Sequence, residues 1–165
     1  MEEWINILFK AFWCGCAAVG FGILFNLPRK NLAAVWVGGA IVGFVKFTVL
    51  LFYAPSSIIL ASFLAALIVG IYSMTIAYMR HEAQMIFAIP SVIPLVPGAF
   101  AYRTMFGLIK LSGNVGADFS RTLSEAVHNG VLTLSIIMAF TIGVIIPYQV
   151  GKGISEAISK KKNVF

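Results

Sequence analysis

The sequence predicts an all-α, polytopic integral membrane protein of about five transmembrane helices, the fourth of them broken by prolines. Three observations carry that prediction. Of 165 residues, 60% are hydrophobic and 11% charged, and the mean hydropathy is +0.95; a soluble domain has roughly 45–50% apolar and about 25% charged residues. Uncharged apolar runs long enough to cross about 30 Å of hydrocarbon recur along the chain. Short stretches rich in Pro, Ser, Asn and basic residues separate them. This excludes a soluble globule. The net charge of +6 does not call for nucleic acid, because no stripe of Lys and Arg interleaves with aromatics. The basic residues fall between or beyond the apolar runs, where orientation in a bilayer accounts for them.

The whole chain reads as one transmembrane domain. Its first span covers about 4–27. Glu2 and Glu3 stand where a signal peptide has its basic region, so the segment is read as a retained helix. It ends in NLPRKN, where Pro28 stops the helix and Arg29 and Lys30 mark a membrane surface. Cys14 and Cys16 lie inside it without a second Cys or His cluster, which suits buried thiols rather than a metal site. The second span, about 32–53, carries Gly39 and Gly43 in a GxxxG spacing that permits close helix approach, including in a homo-oligomer, and closes in the turn YAPSS. The third, about 57–79, stops at Arg80, His81 and Glu82. The fourth, about 83–111, is interrupted near 90–98. The polar stretch SGNVGADFSRTLSE precedes the fifth span, about 126–150, and the tail 151–165 is basic, as expected of an end lying against anionic lipid headgroups. No catalytic triad, phosphate loop or metal motif appears, so neither an enzyme nor a cofactor is expected.

With five crossings the basic residues sort unevenly. Arg29, Lys30, Arg80, Lys152, Lys160, Lys161 and Lys162 share one side, and Lys110 and Arg121 the other, with Glu2, Glu3, Asp118 and Glu125. The positive-inside rule then expects the N-terminus outside and the C-terminus in the cytoplasm. An odd number of spans is unusual for a transporter built from paired repeats and hints at a missing half.

The fourth segment reads AIPSVIPLVPGAFAYR from Ala88 to Arg103. Pro90, Pro94 and Pro97 supply no amide donors, so the carbonyls of Ile86, Pro90 and Ile93 lose their usual partners. Lipid cannot satisfy them, whereas other helices, water or a bound solute can. Counting about 1.5 Å per residue from Arg80 puts the break near mid-membrane. Pro97 suits the first turn of a new helix, Gly98 permits close approach, and that helix start favours an anion. Tyr102 and Arg103 follow within two turns. Together these residues form a cradle for a small carboxylate-bearing solute. The same residues also fit a plain proline kink with Arg103 snorkelling to an interface.

In a chain of this size, IPSVIPLVPGAFAYR resembles the small five-span subunit of the threonine/serine exporter family, which has an IP-x-x-PG-type stretch followed by an aromatic residue. The resemblance implies a secondary exporter of threonine and serine, or of C4 dicarboxylates such as succinate, in a bacterial inner membrane. It further implies a larger partner with a soluble cytoplasmic domain and five spans of its own. The alternative is a non-transporting scaffold that stabilises a partner membrane protein.

Other polar residues have two readings each. Lys46 either snorkels or faces the translocation path as a substrate ligand. His81 and Glu82, at the entrance to the broken segment, form either a proton relay for an antiporter or a solvated membrane edge.

Overall fold

A computed structural model describes residues 1–53, 58–113 and 119–162, with side chains described to residue 153 except at 53. The turn expected over 53–57, the polar residues 114–118 and the side chains of Lys160, Lys161 and Lys162 lie outside that description. The fold is all-α. The helices are α1 (Glu2–Leu24), α2 (Arg29–Tyr53), α3 (Ile58–Arg80), α4 (Gln84–Val92), α5 (Gly98–Gly113) and α6 (Phe119–Lys162), with a 3₁₀ turn at Ile93–Leu95 between α4 and α5. α1, α2, α3 and α6 are each long and apolar enough to cross a membrane, and Gln84–Leu95 with Gly98–Gly113, bent by 58°, makes a fifth crossing if the pair is one span.

Local chemistry sets the turns. Asn26 has φ 56°, and its N–H bonds to the Ile23 carbonyl at 2.9 Å while the Leu27 N–H bonds to Gly22 at 3.0 Å. This is a Schellman ending, in which Asn tolerates the left-handed position; Pro28 follows and prevents continuation. α3 ends the same way. His81 has φ 53° and the Glu82 N–H returns to the Ala77 carbonyl at 3.1 Å.

Small residues set the packing. A Cβ on Gly39 would lie 2.5 Å from Ala18 Cβ and 2.8 Å from the Cys14 carbonyl, and one on Gly43 2.9 Å from Ala11 Cα. The GxxxG pair is thus used inside the chain, where it brings α2 onto α1. α3 and α6 meet likewise: a Cβ on Gly143 would lie 2.8 Å from the Phe63 carbonyl, and one on Gly70 2.9 Å from Pro147 Cγ. α4 packs against α1, α2 and α3, whereas α5 makes its packing interface with α6. The core joins Val42 of α2, Ala65, Ala66 and Val69 of α3, Ala88 and Val92 of α4, Leu95 and Val144.

Two boundaries differ from the sequence reading. Unwinding was expected from Pro90 onward, yet Pro90 sits inside α4 and is fully buried. The break is confined to 93–97, and Ile93, expected to lose its partner, accepts the Val96 N–H at 2.9 Å by tightening to a 3₁₀ turn. The fifth span also has no loop before it or after it among the described residues. α6 runs 44 residues, because Arg121 and Glu125 pair at 3.1 Å one turn apart, Asn129 bonds back to the Glu125 carbonyl at 2.7 Å, and Gly151 packs on Met74 instead of ending the helix.

Candidate functional site

α4 is fastened on two sides. Ser91, 1% exposed, donates to the Val35 carbonyl of α2 at 3.4 Å, and its Cβ would lie 3.0 Å from a methyl on Gly38. Gln84 Nε2 donates to the Gly70 carbonyl of α3 at 3.0 Å. Tyr72 of α3 donates to the Ala34 carbonyl of α2 at 3.0 Å beside them. Phe87, Ala88, Pro90, Ser91 and Val92 are all buried. Half of the bent segment is therefore part of the bundle.

The other half is not. After the 3₁₀ turn, Val96 is exposed, its carbonyl accepts the Gly98 N–H at 2.9 Å, and the buried Pro97 heads α5 by accepting from Ala101 at 3.0 Å. Gly107 lies against Ala126, and Thr104 against Gly130, so α5 covers α6 N-terminal to the stretch that α3 covers. A groove of about 310 Å³ follows the break, lined by residues such as Ile89, Val92, Val96, Phe140 and Val144, with Thr141 its one hydroxyl. Its lining is almost wholly apolar.

The sequence-selected residues fall in three places. Pro90, Pro94, Pro97 and Gly98 lie at or next to the hinge. Tyr102 is 68% exposed and stacks on Phe106 with centroids 6.0 Å apart, while Arg103 beside it is exposed and has no hydrogen bond or ion pair to a described residue. Lys46 is half-buried on α2, one turn past Gly43, which touches Cys14 of α1. Lys46 and Arg103 thus sit on helices that share no substantial interface. His81 and Glu82 are adjacent but do different things. The left-handed turn holds His81 exposed at the rim. Glu82 turns back into a network: Lys30 Nζ lies 2.7 Å from Oε1, Asn31 Nδ2 donates to Oε2, and Arg80 donates to Asn31 Oδ1 at 2.9 Å and to the Lys30 carbonyl. Lys30's bond, helped by Asn31 and Arg80, holds the Glu82 carboxyl below its ordinary value, while partial burial opposes this.

Asn31 was not singled out by sequence reasoning, yet it is fully buried and joins the start of α2 to the end of α3. A polar residue in the first turn of a span, directly after two basic ones, was the available signal. Gln84 and Ser91 were also missed as fasteners. A recess lies beside this network: a cleft of about 760 Å³ between α3, the start of α4 and α6, whose mainly apolar lining also carries Thr75, His81, Glu82, Gln84, Tyr148 and Lys152.

Known sequences match this chain. The family described as "Threonine/Serine exporter, ThrE" matches residues 10–150, which takes in the bent segment and most of the long helices on either side. A protein of Haemophilus influenzae, named only as uncharacterized, is 27% identical over 144 residues. The match covers 87% of this chain but 47% of that relative, so the chain spans about half the relative's length. No solved structure matches. With the match running through the hinge and across most of the spans, this chain belongs to the threonine/serine exporter family.

Proposed function

We propose that the chain is the small half of a secondary exporter in the bacterial inner membrane, moving threonine and serine, or a C4 dicarboxylate such as succinate, together with a larger subunit. That subunit has a soluble cytoplasmic domain and five spans, and this chain lies with its N-terminus outside and its C-terminus in the cytoplasm. The observation that carries the reading is the family match across residues 10–150. One structural feature and one comparison support a second half. α5 packs on α6 and leaves its other faces open, and the matched relative is about twice as long.

The hinge supplies the motion. Pro94 and Pro97 have no N–H, so bending at 93–97 breaks no helical hydrogen bond that they would have donated. α4 is tied to α2 and α3, so α5 and the first half of α6 are the parts that swing, and alternating access follows from their movement against a fixed bundle. Gly98, Tyr102 and Arg103 then meet the cargo carboxylate on the face that the second half encloses, with Pro90, Pro94 and Pro97 shaping the approach and Lys46 a further cation on the path. In this account coupling to protons passes through His81 and Glu82 at the cytoplasmic entrance.

The test is efflux from proteoliposomes preloaded with radiolabelled threonine, serine or succinate. They hold this chain, the larger subunit, or both. Export by the pair and by neither alone is expected. Undiminished export by the larger subunit alone makes this chain a scaffold.

A further inference from the structure

The cleft beside Glu82 differs from the groove along the hinge in one respect that matters for cargo: it holds ionisable groups of both signs. Glu82 stands on one wall, with His81 at the rim and Lys152 on the opposite wall, one turn after Tyr148. At about 760 Å³ it lies within the roughly 300–1,000 Å³ usual for small-molecule sites. Its acid is pre-positioned. Lys30 and Asn31 pin the carboxylate, yet the side chain keeps 17% exposure, and each carboxylate oxygen accepts more than one hydrogen bond. Gln84 spends its Nε2 on the Gly70 carbonyl, and its Oε1 accepts from no described residue. Thr75 donates to the Ile71 carbonyl at 3.1 Å and keeps its lone pairs.

We infer that this cleft is a loading site for a free α-amino acid, whose ammonium meets Glu82 and Gln84 Oε1 and whose carboxylate meets Lys152 and His81. The inference rests on the exporter reading and narrows it. A zwitterion carries the charge opposite to each wall, whereas a C4 dicarboxylate sets its second carboxylate against Glu82. A hydroxyl on the side chain finds Thr75 and Tyr148 nearby. The same pairing of ammonium with an anionic oxyacid exists in the phosphatidylethanolamine headgroup, and the experiment separates the two sources.

In a Cys14→Ala/Cys16→Ala background, Thr75→Cys is labelled with a maleimide in detergent and in phosphatidylethanolamine vesicles. Ser112→Cys, at the far end of α5, is the control. Millimolar threonine or serine is expected to slow labelling at 75 at least 5-fold in lipid-free detergent, with succinate ineffective and position 112 unaffected. Lys152→Ala and Glu82→Gln should each raise the half-protecting concentration at least 10-fold; Lys152 is exposed and makes no described contact, so its variant keeps the test valid if Glu82→Gln misfolds. Protection by succinate as strong as by threonine overturns the assignment. So does slow labelling that appears only in vesicles and ignores threonine, which marks a headgroup site. If the two-chain system exports threonine while position 75 stays unprotected, the site is wrong and the exporter reading survives. Protection at 75 without export by the pair leaves the site and removes the transport reading.

Discussion

Adding one methyl group at Gly38 tests how α4 is seated. A Cβ there would lie 3.0 Å from Ser91 Cβ and 3.4 Å from Tyr72 Cε1, and would overlap the Ser91 hydroxyl. Ser91 is 1% exposed, so α4 has to shift. Overpacking of this kind costs about 1–3 kcal/mol, and the better helix propensity of Ala returns up to roughly 1 kcal/mol. With that full return Gly38→Ala is expected to lose roughly 0–2 kcal/mol, and to fall below Gly20→Ala by about 1–3 kcal/mol. Gly20→Ala has nothing within 4 Å of the new methyl and should gain up to about 1 kcal/mol. Ser91→Gly removes both the hydroxyl and the Cβ in the way, so the pair should couple by about 0.5–3 kcal/mol in a double-mutant cycle. The assay is reversible unfolding in mixed micelles with increasing SDS, followed by the fluorescence of the three tryptophans. Equal stability of Gly38→Ala and Gly20→Ala, or coupling within about 0.5 kcal/mol of zero, would show that α4 does not sit against α2 as described.

Further outcomes follow from the same contacts. Gly143→Ala pushes a methyl into the Phe63 carbonyl, 2.8 Å away, which is backbone and cannot rotate aside. After the same helix-propensity return, a net loss of roughly 0–2 kcal/mol is expected in the same unfolding assay, with no rescue by Leu67→Ala. Glu82 has a folded-state pKa below its ordinary 4.5. Its contribution is therefore complete above that value and disappears as pH falls through the folded one. Stability measured from pH 7 down to pH 3 should drop at the acid end, and Glu82→Gln should flatten that drop; an identical acid slope in both would remove Glu82 from the network. Pro94→Ala restores a donor for the Pro90 carbonyl, so the 58° bend should straighten. Spin labels on α4 and α5 would report this as a longer distance, and export by the pair should fall several-fold.

The spans were legible because length and apolarity decide membrane crossing without reference to partners. Three of the five expected segments became helices ending within a few residues of the expected bounds, the fifth lies inside the longer α6, and the bent pair took the place of the broken one. Proline position was harder to read. Pro90 looks like a breaker beside Pro94 and Pro97, but neighbouring helices enclose it, and the chain unwinds only where two prolines fall within four residues. α6 runs past the expected span at both ends, since Ser and Gly there read as a loop while the Arg121–Glu125 pair and the contact of Gly151 with Met74 keep the helix going. The polar network was the least visible. Asn31 and Glu82 are 51 residues apart, and nothing local says that the turns at Asn26 and His81 bring them together. Arg80 and Lys30 were legible only as surface markers. The cleft escaped notice for the same reason, because its walls come from α3, the start of α4 and the far half of α6.

Arg103→Ala probes the proposed role of this chain as the hinge-bearing, cargo-handling half of an exporter. The variant is assembled with the proposed larger subunit, checked for insertion and co-purification, and assayed for threonine efflux from preloaded proteoliposomes. Arg103 makes no bond to any described residue of its own chain, so the fold should persist while efflux falls at least 10-fold. Wild-type efflux from a correctly inserted Arg103→Ala pair would contradict the account.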